Sequence, residues 1–290
     1  MLRIQNTYKN DNKTLYLIGT PIGNLKDISF RVVKILKEVD LIYCEDKRVS
    51  IKLLNHLEIK KPLKAVHKFN EIESFESFQE DLRTNNKIAL ISDAGVPCIC
   101  DPGMYLVNKI VENNINVNIT PINAGPAYIH VLIVSGLIAY SNTFLGFLQN
   151  KTENSELINE LKKSKGVVCF YESVHRVVER LNSLLLQIPE STKIIIGREI
   201  SKINEQFVYG TLSEVCQFIN SDEFVKKGEF CILIESISSN EEFSFNLNKL
   251  DSEIKAMKNN SISNKDIIKN LSKKYNINKN KLSEFIYKNK

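Results

Sequence analysis

Four short segments, two rich in glycine and two in acidic and basic side chains, follow apolar runs along the 290-residue chain. The first is Gly19-Thr-Pro-Ile-Gly23-Asn24, directly after the apolar run Leu15 to Ile18. Glycine lets backbone approach a ligand closely, but this loop does not match the dinucleotide GxGxxG pattern, and by itself it reads as a tight turn. The second, Ile91-Ser92-Asp93-Ala94-Gly95-Val96-Pro97 followed by Asp101-Pro102-Gly103, sets two carboxylates and two glycines after another apolar run. That is the carboxyl edge at which open α/β sheets bind ligands. Cys44-Glu45-Asp46-Lys47-Arg48 and Tyr171-Glu172-Ser173-Val174-His175-Arg176 place acids and bases at two further strand ends. Ion-paired helix caps would explain either alone. Four such loops in sequence form the pattern of a binding site.

The elements that must hold these loops alternate between apolar runs of strand length and stretches of helical periodicity, the signature of a mainly parallel sheet with crossover helices. Strands are expected at 15–18, 40–44, 63–67, 87–92 and 115–122, with helices near 28–37, 49–57, 72–85 and 103–113. Glycine and proline at 123–126 mark a boundary. A second unit follows, with strands at 143–148, 167–171, 193–197, 205–210 and 229–235 and helices near 126–134, 154–164, 175–187 and 212–219. Its later strands follow one another closely, as antiparallel pairs do. The organisation expected is an N-terminal extension (1–13), two α/β domains (14–122 and 123–236), a polar linker (237–248) and a small basic helical domain (249–290). Ser263 and Asp266 suit the start of its second helix, and 276–278 a turn into the third.

The net charge of +5 is unevenly spread. Residues 249–290 hold eleven lysines and four carboxylates, or +7; of the 39 basic and 34 acidic residues, 28 and 30 remain for positions 1–248, or −2. The tail is therefore either a surface for a polyanion such as RNA or a packing appendage in a chain rich in Asn, Ile and Lys. The six cysteines lie among apolar neighbours without a CxxC pair, so they read as reduced core residues, and neither a zinc site nor a disulfide framework is expected. No long apolar stretch suggests a signal or a membrane span, so a cytoplasmic protein is expected. His56, His67 and His130 fall within helix or strand patterns and read as structural.

The run Leu15 to Ser29, then Cys44-Glu-Asp46, Ile88 to Gly95, Asp101-Pro-Gly103, Gly146-Phe-Leu148, Tyr171-Glu-Ser173, His175-Arg176, Arg198-Glu199, Ser201-Lys202 with Glu205, and Lys227-Gly-Glu229 resembles the RsmI family of the tetrapyrrole-methylase superfamily from about residue 14 to 236. The resemblance implies an α/β, two-domain tetrapyrrole-methylase (class III S-adenosylmethionine methyltransferase) fold with a small helical C-terminal appendage. It implies S-adenosylmethionine in the interdomain cleft, held at Gly19, Pro21, Asp93, Ala94, Gly95, Ala124, Gly125, Ala127 and Gly228. It further implies 2′-O-methylation of a cytidine ribose in the decoding region of 16S ribosomal RNA, within the small ribosomal subunit, by a homodimer with no metal. Catalytic bases or orienting groups are then sought among Glu45, Asp46, Glu172, His175 and Glu199, and phosphate contacts at Arg48, Arg176, Arg198 and Lys202. A base assisting a poor hydroxyl nucleophile contributes on the order of 10²-fold.

The chain departs from the family pattern at Lys47 (for Thr), Val96 (for Thr), Cys100 (for Ser), Asn123 to Ala127 (for PGPSA), Gln149 (for Pro) and Val174 (for Pro). Each lost hydroxyl removes a hydrogen bond of roughly 0.5 to 1.5 kcal/mol. Three alternatives stay open at this level: a methyltransferase of the same fold acting on a tetrapyrrole or on diphthine, a catalytically weakened RNA- or ribosome-binding homologue, and an unrelated nucleotide-binding domain.

Overall fold

The structure is a computed structural model and describes residues 1–66, 71–139, 141–149, 154–237, 247–259, 262–275 and 279–288. His67, most of the expected linker and the turn at 276–278 lie outside the described residues. The chain runs β1 (Arg3–Asn6), β2 (Thr14–Ile18), α1 (Phe30–Glu38), β3 (Leu41–Cys44), α2 (Lys47–His56), β4 (Leu63–Ala65), α3 (Glu71–Thr84), β5 (Lys87–Ile91), α4 (Met104–Glu112), β6 (Asn118–Ile122) and α5 (Ala127–Val134). It continues through β7 (Asn142–Phe147), α6 (Ser155–Lys163), β8 (Val167–Glu172), α7 (Val177–Leu184), β9 (Lys193–Arg198), β10 (Gln206–Thr211), α8 (Leu212–Ile219) and β11 (Phe230–Glu235). Three helices end it: α9 (Leu247–Asn259), α10 (Asn264–Tyr275) and α11 (Lys279–Lys288).

The first sheet has the order β4-β3-β5-β2-β6 and is parallel throughout. Helices cover both faces, which is why its strands read as continuous apolar runs. Leu15, Leu17, Ile88 and Leu90 point to the side of α3, α4 and α5, while Ile18, Ala89 and Ile91 point to α1 and α2. The second sheet has the order β1-β10-β9-β11-β8-β7; only β7 and β8 are parallel, and the other pairs are antiparallel. One face packs on α6, α7 and α8 through Val168, Phe170, Ile196 and Ile232. Its opposite face, with Cys169, Ile195, Phe207 and Leu233, joins α5 and the first sheet in one apolar core.

Residues 3–6 lie in the stretch expected to stand apart as an extension, yet they form an edge strand of the second sheet, Arg3 opposite Tyr209 and Asn6 opposite Gln206. The same strand reaches the first sheet through its side chains. The Gln5 amide donates to Ile119 O (2.8 Å) and accepts from Ile119 N (2.9 Å), as a neighbouring strand would do for the otherwise open edge of β6. The buried Arg3 guanidinium donates to Ile115 O (2.8 Å) and Val117 O (2.5 Å) in the turn that leads into β6.

The C-terminal helices close a small core of Ile254, Ile267, Leu271, Leu282 and Ile286 over Leu186, just past α7. Ser263 caps α10, accepting from Asp266 N (3.2 Å) and donating to its carboxylate (2.6 Å). Five of the six cysteines are buried and all six are free; Cys100 is the exposed one, set in a left-handed turn rather than in the core.

Replacing Arg3 with Met keeps most of the volume and strips buried carbonyls of their donor, so Arg3→Met is expected to destabilise the protein by about 2 to 4 kcal/mol in urea denaturation.

Candidate active site

Parallel register fixes the site before any side chain is considered. Cys44 is opposite Ile91, Ile91 is opposite Ile18, and Ile18 is opposite Ile122, so four strands end in one row. The segments that leave this row are Glu45-Asp46, Ser92 to Gly95, Gly19 to Asn24 and Asn123 to Pro126. Thr20 and Gly95 form an isolated antiparallel bridge, Thr20 N to Gly95 O at 2.7 Å and Gly95 N to Thr20 O at 3.2 Å. The Asp93 carboxylate accepts from Asp46 N at 3.0 Å, tying the third loop to the first two. Asn123 Nδ2 donates to Gly19 O at 3.3 Å. Seven of the nine residues expected around the cofactor therefore belong to neighbouring loops at one sheet edge, and an eighth, Ala127, opens α5 directly after the hinge. The ninth, Gly228, meets Ala127 in the wall of a cleft of about 480 Å³, together with Phe147, Tyr171, Ile200 and Cys231.

Glycine is required at two of these positions for different reasons. A Cβ on Gly19 would lie 2.2 Å from Asn123 O, so the first loop passes the hinge with no room for a side chain. Gly228 has φ +97°, and a Cβ there would meet the Glu199 side chain at 2.6 Å. The hinge is left-handed twice, at Asn123 (φ +57°) and Gly125 (φ +90°). Proline cannot hold φ at +57°, so Asn123 goes with a backbone path closed to the proline of the family pattern.

The second sheet presents a matching row. Phe230 is opposite both Glu172 and Arg198, so the ends of β8 and β9 flank the start of β11. Glu172 is 1% exposed and pairs with Arg180 and with Arg176 Nε (2.8 Å), while also accepting from Ser173 N (2.8 Å). Arg180 in turn donates to Asn154 Oδ1 at 2.9 Å. The Glu172 carboxylate braces the β8–α7 corner. Arg176, expected at a phosphate, belongs to the same brace and also donates to Leu148 O at 3.2 Å. Arg198 is buried, bonded to Gln206 Oε1 (3.3 Å) and Lys227 O (3.1 Å), and burial lowers its pKa. It holds the β9, β10 and β11 ends together from inside.

Glu199 is left-handed (φ +52°), and its Oε1 accepts from Lys202 Nζ (2.9 Å) and Glu229 N (3.0 Å). Those bonds hold its carboxyl below the ordinary value, the Lys202 contact first. Lys202 also reaches Glu229 Oε2 at 2.9 Å. Asp46 caps α2, accepting from Arg48 N (2.7 Å), and pairs with the exposed Arg48 guanidinium (2.6 Å). Chiefly the Arg48 side chain pulls the Asp46 pKa down to about 2. His175 is exposed in the turn before α7, and Glu45 is half-buried beside Asp46. Sequence reasoning sets aside His130, whose ring sits against the hinge, and leaves Arg180 out; the spacing of four between 172, 176 and 180 is the signal for Arg180.

The family model for tetrapyrrole (corrin/porphyrin) methylases matches residues 14–216. Among curated proteins, the chain is 40% identical over 237 residues to ribosomal RNA small subunit methyltransferase I of Halalkalibacterium halodurans, covering 81% of this chain and 80% of that protein. It is 40% identical over 245 residues to the Bacillus subtilis protein of the same name, covering 83% and 82%. The Buchnera aphidicola protein of that name is 32% identical over 275 residues, covering 94% and 96%.

Two outcomes follow from the geometry. Gly19→Ala would drive a methyl into hinge backbone and is expected to cost at least about 1 to 3 kcal/mol in denaturation experiments. Because the Glu199 carboxyl is depressed, its pairing contributes stability at neutral pH that is lost as pH falls below its ordinary value of 4.5. Lys202→Met should shrink that acid loss, read as the change in denaturation midpoint between about pH 7 and about pH 3.

Proposed function

Since the chain belongs to the tetrapyrrole methylase family, alongside the ribosomal RNA small subunit methyltransferase I proteins, we propose that it methylates the 2′-hydroxyl of a cytidine ribose in the decoding region of 16S ribosomal RNA. It is a ribosomal RNA methyltransferase, and S-adenosylmethionine is its methyl donor. The observation that carries the reading is that the loops after β2, β5 and β6 are tied together at one sheet edge, while Ala127, which opens the helix just past the hinge, lines a cleft with Gly228 and Tyr171 of the second sheet.

The residues present fit that cofactor. Among the described residues, nothing beyond its chain neighbours lies within 4 Å of a Cβ built on Gly125, so backbone at the hinge is open to a ligand, and the cleft wall of Phe147, Tyr171, Ile200 and Cys231 suits a nucleoside face. Gly19, Pro21, Asp93, Ala94, Gly95, Ala124, Gly125, Ala127 and Gly228 would hold it. When bound, it supplies an activated methyl on sulfonium sulfur. The protein's task is alignment of the acceptor oxygen with that methyl, in a cleft of fixed loops.

Asp46 and Glu172 serve as braces in this scheme, since both are engaged by arginine. The ribose proton passes to a base drawn from Glu45, His175 and Glu199. Arg48 and Lys202, both at the surface, contact phosphates, whereas Arg176 and Arg198 act from within by holding loops. The lysine-rich C-terminal helices add the sequence-independent attraction that leads RNA binding. The partner is the small ribosomal subunit, the active form a homodimer and the location the cytoplasm; no helix among the described residues is long and apolar enough to cross a membrane.

Incubating the protein with small subunits that lack the modification and with labelled S-adenosylmethionine should place label on a cytidine ribose of 16S RNA, mapped as a 2′-O-methyl. Label on a base would overturn the acceptor assignment. Cofactor binding without transfer would favour the weakened homologue.

A further inference from the structure

His130 lies in the second turn of α5, 8% exposed, with both ring nitrogens engaged by the hinge in front of that helix. Ala124 N donates to Nε2 at 3.3 Å, and Nδ1 stands 3.2 Å from Pro126 O. An amide N–H can only donate and a carbonyl can only accept. Nε2 must therefore be bare and Nδ1 must carry the hydrogen, which fixes a single neutral tautomer. Ala124 and Pro126 sit on either side of the left-handed Gly125, and the left-handed Asn123 directly precedes Ala124.

From this geometry we infer that His130 is a positioning residue for cofactor binding, clamping the Asn123–Pro126 backbone in the conformation that packs against Gly19 and leads into Ala127 at the cleft wall. The inference rests on the assignment of this hinge to the S-adenosylmethionine site. Two left-handed residues so close together leave a segment with several accessible paths once its bonds are lost. The clamp removes that freedom before the ligand arrives, so ordering the hinge is not charged against binding.

Protonation of Nε2 would turn the acceptor into a donor facing the Ala124 N–H, and the clamp would open. Burial lowers the His130 pKa below its ordinary 6.5, the Pro126 carbonyl opposes that, and Arg31 of α1, the charged group that acts on the ring, adds to the lowering. The sign follows: the neutral, clamped state is fully present above about pH 6.5 and is lost on acidification through the lowered native value.

Three proteins decide the matter, wild type, His130→Ala and His130→Gln, with S-adenosylmethionine affinity measured by calorimetry across pH and methyl transfer measured at saturating cofactor. His130→Ala should weaken cofactor binding about tenfold, the effect expected from two lost hydrogen bonds, and leave kcat within about twofold. His130→Gln offers a neutral acceptor and donor, and should recover part of the affinity and remove the acid dependence that wild type shows below about pH 6.5. Wild-type affinity in His130→Ala, or the same acid dependence in wild type and His130→Gln, would overturn the inference. Thermal melting identifies a misfolded His130→Ala, in which case the test rests on His130→Gln and on the pH dependence of wild type. A wild-type protein that binds no S-adenosylmethionine removes the cofactor assignment itself, and the inference with it.

Discussion

An eight-residue helix with apolar side chains on almost every side, Ala-Tyr-Ile-His-Val-Leu-Ile-Val, cannot rest on a surface, and α5 solves this by lying between the two sheets. Val131, Ile133 and Val134 are essentially unexposed, each contributing about 1.5 to 3 kcal/mol of burial. Gly197 of β9 lets Val131 approach where a Cβ would stand 2.5 Å from its methyl. The hinge and Ala127 inherit their position from this contact. Only four residues link the end of β6 to the start of α5, so the chain must turn sharply there. The left-handed Asn123 and Gly125 are the consequence, and the open backbone of the hinge is what the cleft acquires from it.

Charge serves chiefly to hold loops at fixed angles. Glu172 is surrounded by Arg176, Arg180 and Ser173 N, and removing either arginine would leave a buried carboxylate short of partners, the costly half of a buried ion pair. Asp93 commits an oxygen to Asp46 N, and Thr20 meets Gly95 backbone to backbone. These bonds cross from one strand-end loop to the next. They make the first sheet's edge a single rigid surface, which is what alignment of a donor and an acceptor oxygen requires.

The seam between the sheets is stitched a second time by β1, whose backbone pairs with β10 while its Gln5 and Arg3 side chains reach β6 and the turn before it. Arg-Ile-Gln-Asn has no apolar run, and its partner strand begins two hundred residues later. Nothing local marks it as a strand. The polar residues that disguise it are the ones that bridge the two sheets.

The sequence by itself determined the alternation of strands and helices, the break at 123–126, the four loops and their family, because apolar period, glycine and spacing are local properties that survive without coordinates. It also put Gly19, Asp93, Gly125 and Gly228 forward as ligand positions. What it could not separate was a charged residue that faces a substrate from one that braces the fold: Arg48 and Arg198 are equally basic as residue types, yet one is exposed and the other buried among carbonyl and amide partners. His130 reads as structural for the same reason, since only the folded chain brings its two nitrogens to Ala124 and Pro126. A side chain's role depends on burial and on the donor or acceptor opposite it, and both are set by contacts between segments far apart in the chain, which only the tertiary structure decides.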